Sequence, residues 1–134
     1  MPVVDITLLR GRTPEQLRVV ADAIHDALVA EFGIPVEDRF QVIRQCERHE
    51  LIYDRAFMGG PRTDEFVMIW VVAAKERLAA AKQAFFTSVV ANLGSRAGVA
   101  AEDVFVMLDA VSLADLSVAG GRLFDPPHLR RESL

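Results

Sequence analysis

Gly33-Ile34-Pro35-Val36-Glu37-Asp38-Arg39-Phe40 and Gly98-Val99-Ala100-Ala101-Glu102-Asp103-Val104-Phe105 are one phrase written twice, 65 residues apart. The same offset pairs Arg12 with Arg77, Leu28 with Leu93 and Val4 with Ile69. Two copies are too few for a solenoid, so the chain reads as one supersecondary unit duplicated and fused. Each copy runs strand, helix, strand. In the first, Val4, Ile6 and Leu8 alternate with Val3, Asp5 and Thr7, the period of a half-buried strand. Gly11-Arg12 turns the chain. Thr13 is a good N-cap, Pro14 suits the first helical position, and Gln16 completes a capping box. Leu17, Val20, Ala21, Ile24 and Leu28 then recur on one helical face until Gly33 stops the helix, and Phe40–Ile43 opens the next strand.

The second copy follows the same plan. Phe66–Ala73 is almost continuously apolar, as expected of a central strand covered on both faces. Leu78, Ala81, Phe85, Val89 and Leu93 mark the inner face of a helix ended by Gly98, and Val104–Leu108 is the matching strand. Between the copies, Leu51–Phe57 reads as a short hairpin strand before Gly59-Gly60-Pro61. The expectation is an α+β fold. Two β-α-β units, about 2–46 and 66–110, are related by a pseudo-two-fold axis. They share a four-stranded mixed sheet with two helices on one face and short hairpin strands. No low-complexity linker separates the halves, so residues 1–134 read as a single domain, with 111–134 as a C-terminal arm.

Composition narrows the classes of function. A formal charge of −4 with interspersed signs lacks the basic stripe of a nucleic-acid binder. Val3–Leu9 contains Asp5 and is too short for a signal peptide or a membrane span, and Phe66–Ala74 is also too short to span a bilayer. The lone Cys46 allows no internal disulfide, which suits a cytoplasmic location. Cys46, His49 and Glu50 do not have the spacing of a zinc site, and neither a metal nor a cofactor is expected.

The chemistry gathers at one end of the sheet. Within a right-handed β-α-β unit both strands start on the same edge. This sets Asp38, just before the second strand, near Pro2 at the start of the first. With the two units antiparallel, the end of the third strand lies beside Pro2 and brings Lys75, Glu76 and Arg77 there. Loss of Met1 would make Pro2 a terminal secondary amine, which titrates closer to neutrality than lysine. The mouth thus combines an amine, a carboxylate and two cations, a set suited to a small anionic carboxylate substrate. The opposite end holds Arg12 and Asp103 but has Val67 in place of Pro2. His25, beside Ile24 on the helix, reads as a structural histidine.

Met1-Pro2 before a strand, Gly11-Arg12-Thr13-Pro14-Glu15-Gln16 opening a helix, and the 65-residue repeat together resemble the tautomerase superfamily, whose members use an amino-terminal proline. Ala23-Ile24-His25, Phe32-Gly33-Ile34-Pro35, Glu37-Asp38-Arg39-Phe40-Gln41-Val42 and Pro61-Arg62-Thr63 are similar to its malonate semialdehyde decarboxylase branch. The resemblance spans about residues 2 to 118. It implies that Pro2 is the catalytic acid or base and that Asp38 assists it. It also implies that Arg77 grips the substrate carboxylate and that the chain is a homotrimer. Two positions depart from the branch. The second arginine of the clamp falls at Lys75, or at Ala74 in an ungapped alignment, and Asp115-Leu116-Ser117-Val118 replaces a more aromatic wall.

The expected function is a cofactor-independent enzyme, isomerase or lyase, acting on a small 2-oxo or semialdehyde carboxylic acid. The alternative is a non-catalytic oligomeric anion-binding module of the same fold that keeps Met1. Neutral Pro2 would run keto-enol tautomerisation; protonated Pro2, held charged by Asp38, would favour decarboxylation or hydration.

Overall fold

A computed structural model describes residues 1–127. β1 (Pro2–Leu9) leads through α1 (Pro14–Phe32) to β2 (Phe40–Cys46), and β3 (Val67–Ala73) leads through α2 (Ala79–Ala97) to β4 (Val104–Ala110). The sheet order is β2-β1-β3-β4. β1 is parallel to β2 and β3 to β4, and the two units meet through the antiparallel pair β1–β3. Pro2 is registered with Ala73, so the start of the first strand does lie beside the end of the third. A proline at the first position of a strand interrupts no interior ladder bond.

The local signals of α1 act as its sequence suggests. Thr13 accepts from the Gln16 amide at 3.2 Å, and the Gln16 side chain accepts from the Thr13 amide at 2.9 Å. Gly33 ends the helix in the left-handed region at φ 65°, where a side chain would be strained. Gly98 repeats this at φ 67° after α2. The start of α2 departs from the copy: Leu78 stands at the N-cap and offers no side-chain hydrogen bond.

Both helices pack on one face of the sheet. Val4, Ile6 and Leu8 of β1 and Val67, Ile69 and Val71 of β3 meet Ile24, Leu28, Phe85, Val89 and Leu93 of the helices in one core. The repeat partners Val4 and Ile69, and Leu28 and Leu93, are buried alike. Among the described residues nothing covers the sheet's other face, so β3 alternates buried and open positions and Trp70 is 43% exposed. The expectation of a strand covered on both faces therefore fails within one subunit.

The hairpin strands expected between the units do not form. Among the described residues, 51–66 contain no strand. Gly59, Gly60 and Pro61 interrupt any ladder, and side chains organise the segment instead. Asp54 accepts from the amides of Ala56 and Phe57 at 2.8 and 2.7 Å, and Glu102 accepts from the Gly60 amide at 2.7 Å. Tyr53 stacks on Phe66 with centroids 4.2 Å apart and donates to the Thr63 carbonyl at 2.5 Å. Phe66 forms a small second core with Leu9 and Leu51. After β4 the described part of the arm carries a 3-10 turn at Leu113–Asp115; residues 128–134 of the expected arm lie outside the described residues.

Candidate functional site

The loop that carries Asp38 is held on three sides. Gly33 turns the chain out of α1, and the Asp38 amide donates to the Pro35 carbonyl at 3.0 Å. The buried His25 donates from Nε2 to the Val36 carbonyl at 2.7 Å, which makes it the structural histidine its helical position suggests. On the far side, Arg39 donates to Asp22 of α1 at 2.6 Å and to Gln41 at 2.8 Å. The carboxylate thus delivered is nearly enclosed. Its Oδ2 lies 3.5 Å from the Met1 amine. Its Oδ1 is buried with no hydrogen-bond partner among the described residues. A buried unpartnered carboxylate oxygen is costly and calls for an explanation.

The structure therefore brings Asp38 and the amino end of the chain together, as the strand order requires. Burial is the largest influence on the Met1 amine and pulls its pKa below the usual value of about 8. The charge and hydrogen bond of Asp38 oppose this, and the Arg77 charge adds to the lowering. The Met1 carbonyl accepts from the Ala74 amide at 3.1 Å, so removal of Met1 would release a backbone donor beside the Pro2 nitrogen.

Arg77 is half-buried at the same end. Its Nη1 donates to the Lys75 carbonyl at 2.7 Å, and its guanidinium carbon lies 4.6 Å from the centroid of Phe32. Burial pushes its pKa down while Glu76 opposes the shift. Glu76 itself forms an ion pair with Lys82. Lys75, Arg77 and Phe32 line a shallow cavity of about 40 Å³ with Leu108 and Asp109.

At the pseudo-symmetric end the repeat partners of Asp38 and Arg77 are held differently. Asp103, the repeat partner of Asp38, is buried and fully engaged: Oδ1 accepts from the Thr63 amide and Oδ2 from the Thr63 hydroxyl, each at 2.6 Å. Arg12, the partner of Arg77, donates to the Glu65 carbonyl at 2.8 Å and to its carboxylate at 3.0 Å. A cavity of about 660 Å³ lies at this end, lined by Arg10, Arg12, Arg48, His49 and Arg96. Volume is a poor guide here, because each of its four arginines is paired with a carboxylate: Arg10 with Glu47, Arg12 with Glu65, Arg48 with Asp64 and Arg96 with Asp26. Sequence reasoning passed over Thr63, which separates the two aspartates, and Phe32, which separates the two arginines. The visible signal for the second was an aromatic at position 32 against Ala97 in the copy.

Comparisons with known proteins bear on the family and the fold. Two profiles described as "Tautomerase enzyme" match residues 38–119 and 2–53. The probable tautomerase YusQ of Bacillus subtilis (strain 168) is 37% identical over 122 residues, covering 91% of this chain and 96% of that protein. A crystal structure of malonate semialdehyde decarboxylase superposes with a TM-score of 0.86 at 29% identity, covering 98% of each chain. One of FG41 malonate semialdehyde decarboxylase inhibited by 3-bromopropiolate gives 0.85 at 32% identity, covering 97% of this chain and 96% of that one.

Proposed function

We propose, from the premise that this chain belongs to the tautomerase family, that Pro2 becomes its terminal residue and serves as acid or base on a small 2-oxo or semialdehyde carboxylic acid. An isomerase- or lyase-type activity follows from the family; the substrate class and the roles of the residues are our reading. The observation that carries it is Asp38, a nearly enclosed carboxylate facing the amino end with one oxygen unpartnered. A carboxylate so placed stabilises a protonated secondary amine.

With malonate semialdehyde, the substrate acid of the decarboxylases it resembles in sequence and fold, the steps follow from these groups. Arg77 and Lys75 hold the substrate carboxylate. Protonated Pro2 donates a hydrogen bond to the aldehyde oxygen. The bond between the carboxylate and the α-carbon breaks and its electron pair moves toward that oxygen. Carbon dioxide leaves, and protonation of the α-carbon yields acetaldehyde. The Ala74 amide, released when Met1 leaves, supplies a second donor near the proline nitrogen. No step in this scheme needs a cofactor.

A second reading has its own support. Burial and the Arg77 charge both lower the pKa of an amine at this end. A neutral Pro2 would abstract a proton next to a carbonyl and run keto-enol tautomerisation. Carbon dioxide release from malonate semialdehyde, set against enol-keto exchange of phenylpyruvate, separates the two. Pro2→Ala is expected to lower either rate by about 10²–10⁴-fold. Intact mass of the chain from its native host tests the premise of both. Retained Met1 would lock the Pro2 nitrogen in an amide and leave an anion-binding module whose Met1 amine pairs with Asp38.

Association of copies is part of the proposal. The sheet face opposite the helices exposes Val3, Phe40, Val42, Trp70, Phe105 and Met107. A patch of that kind on one face marks an interaction surface. A homotrimer with the three sheets turned inward is the arrangement we propose.

A further inference from the structure

The two arginines related by the repeat are held in opposite ways. Arg12 is held by charge, through the carboxylate and carbonyl of Glu65. Arg77 is held by an aromatic face and one backbone carbonyl: the Phe32 ring 4.6 Å below its guanidinium and the Lys75 oxygen at 2.7 Å. Among the described residues, Arg77 forms no ion pair. The chain differs at the matching position too, with Ala97 where the first unit has Phe32, and among the described residues no ring lies against Arg12. Phe32 is itself fixed, at the last position of α1 and 4.9 Å from the centroid of the buried Phe85.

These two solutions differ in what they leave free. A carboxylate engages the donors of a guanidinium and cancels its charge. An aromatic face holds the plane of the group through its electron cloud and engages none of its five N–H donors. A flexible arginine loses rotamer freedom when it grips a ligand, and prior holding reduces that loss. From this contrast we infer that Phe32 is a positioning residue for Arg77: it orients the guanidinium for a carboxylate ligand while keeping the charge and the outward donors available. The inference rests on the assignment of Arg77 to the substrate carboxylate.

Malonate, a stable dicarboxylate, is the probe. Three measurements on the full chain test the inference: the ring-current shift of the Arg77 side-chain resonances, identified by their loss in Arg77→Lys; the Kd for malonate by calorimetry; and KM and kcat for malonate semialdehyde. In Phe32→Leu the upfield ring shift should vanish, and the malonate Kd should rise roughly 3- to 30-fold, the range of such a contact. KM should rise in parallel, with kcat within about twofold, the signature of lost uniform binding. Phe32→Tyr, which keeps the ring, should stay within about twofold of the parent. If Phe32→Leu fails to fold, Phe32→Met is measured in its place.

Loss of the ring shift with unchanged malonate affinity overturns the inference, as does equal impairment in the leucine and tyrosine variants. A parent protein that shows the shift but binds no malonate also overturns it, since Arg77 then has no carboxylate to meet. If malonate affinity follows the ring as expected but no carboxylic acid is turned over, the proposed reaction fails and the positioning role stands.

Discussion

At the scale of single residues, two aspartates that look alike in sequence have different partners. Asp38 and Asp103 both follow a glutamate and precede a strand. Only Asp103 receives two hydrogen bonds, both from Thr63 of the segment between the units. Replacing the buried Asp103 with alanine removes the two hydrogen bonds that tie down Thr63, and the loss of stability should be about 1–3 kcal/mol, since each such bond contributes roughly 0.5–1.5 kcal/mol. Asp38→Ala removes a carboxylate that already has an unpartnered oxygen, so its stability should change by less than about 1 kcal/mol. Its kcat/KM should fall by about 10²–10⁴-fold. Denaturant unfolding and steady-state kinetics on the same two variants check both halves. A large stability loss in Asp38→Ala with activity retained would make Asp38 structural like its copy. The sequence could bring Asp38 near Pro2 through strand order, but it could not separate the two aspartates, because Thr63 lies 40 residues from Asp103.

At the scale of elements, what was legible depended on whether the signal was local. The capping box of α1, the glycine stops and the alternation of β1 use residues within a few positions of one another, and each formed as read. The repeat carried the non-local part, since two equivalent units fix the antiparallel meeting of β1 and β3. The segment 51–66 misled because its apolar residues suggest a strand, while its side-chain caps and glycines settle it otherwise. The loop before β2 also has an electrostatic anchor that no periodicity announces. Asp22 of α1 accepts from Arg39 at 2.6 Å and from Arg18 at 3.1 Å. Burial acts to raise the Asp22 pKa, but the two arginines prevail and hold it below its ordinary 3.8. A carboxyl depressed in the folded state contributes stability above its unfolded pKa, and that contribution is lost as pH falls through the folded value. Stability of the parent should therefore drop below about pH 4. Asp22→Asn should lose up to about 1 kcal/mol at neutral pH, the range of a partly exposed pair, and show a shallower acid slope. Urea unfolding at pH 7 and pH 3 provides the comparison, and parallel acid slopes would show that the pair contributes nothing to stability.

At the scale of the whole molecule, the sheet explains how a chain of this size reconciles a good core with an open apolar face. Strand register lines up Phe40, Val3 and Val72 in one row on that face, and Val42, Asp5, Trp70 and Met107 in the next. The polar members of the second row and its neighbour are largely satisfied internally, because Asp5 accepts from Arg44 at 2.6 Å and from Thr7 at 3.1 Å. The face therefore presents apolar surface with Asp5 and Arg44 already paired at its centre and Asp109 on the outer strand β4, which favours burial of the apolar positions against another copy over solvation. Trp70 sits on a central strand of that face, so a carboxylate introduced there would be buried without a partner in any sheet-to-sheet contact. Trp70→Glu should leave the intrachain core intact, since the side chain points away from it, and should convert a trimer to monomers in light scattering. Far-ultraviolet circular dichroism should be unchanged in the monomer. Because the Asp38 mouth is built from one chain but lies at the edge of the same sheet, kinetics on that monomer carry the final discrimination. Retained turnover would show that one chain holds the complete site, and lost turnover with retained malonate binding would show that a neighbouring copy completes it. A Trp70→Glu protein that still sediments as a trimer would place the interface elsewhere.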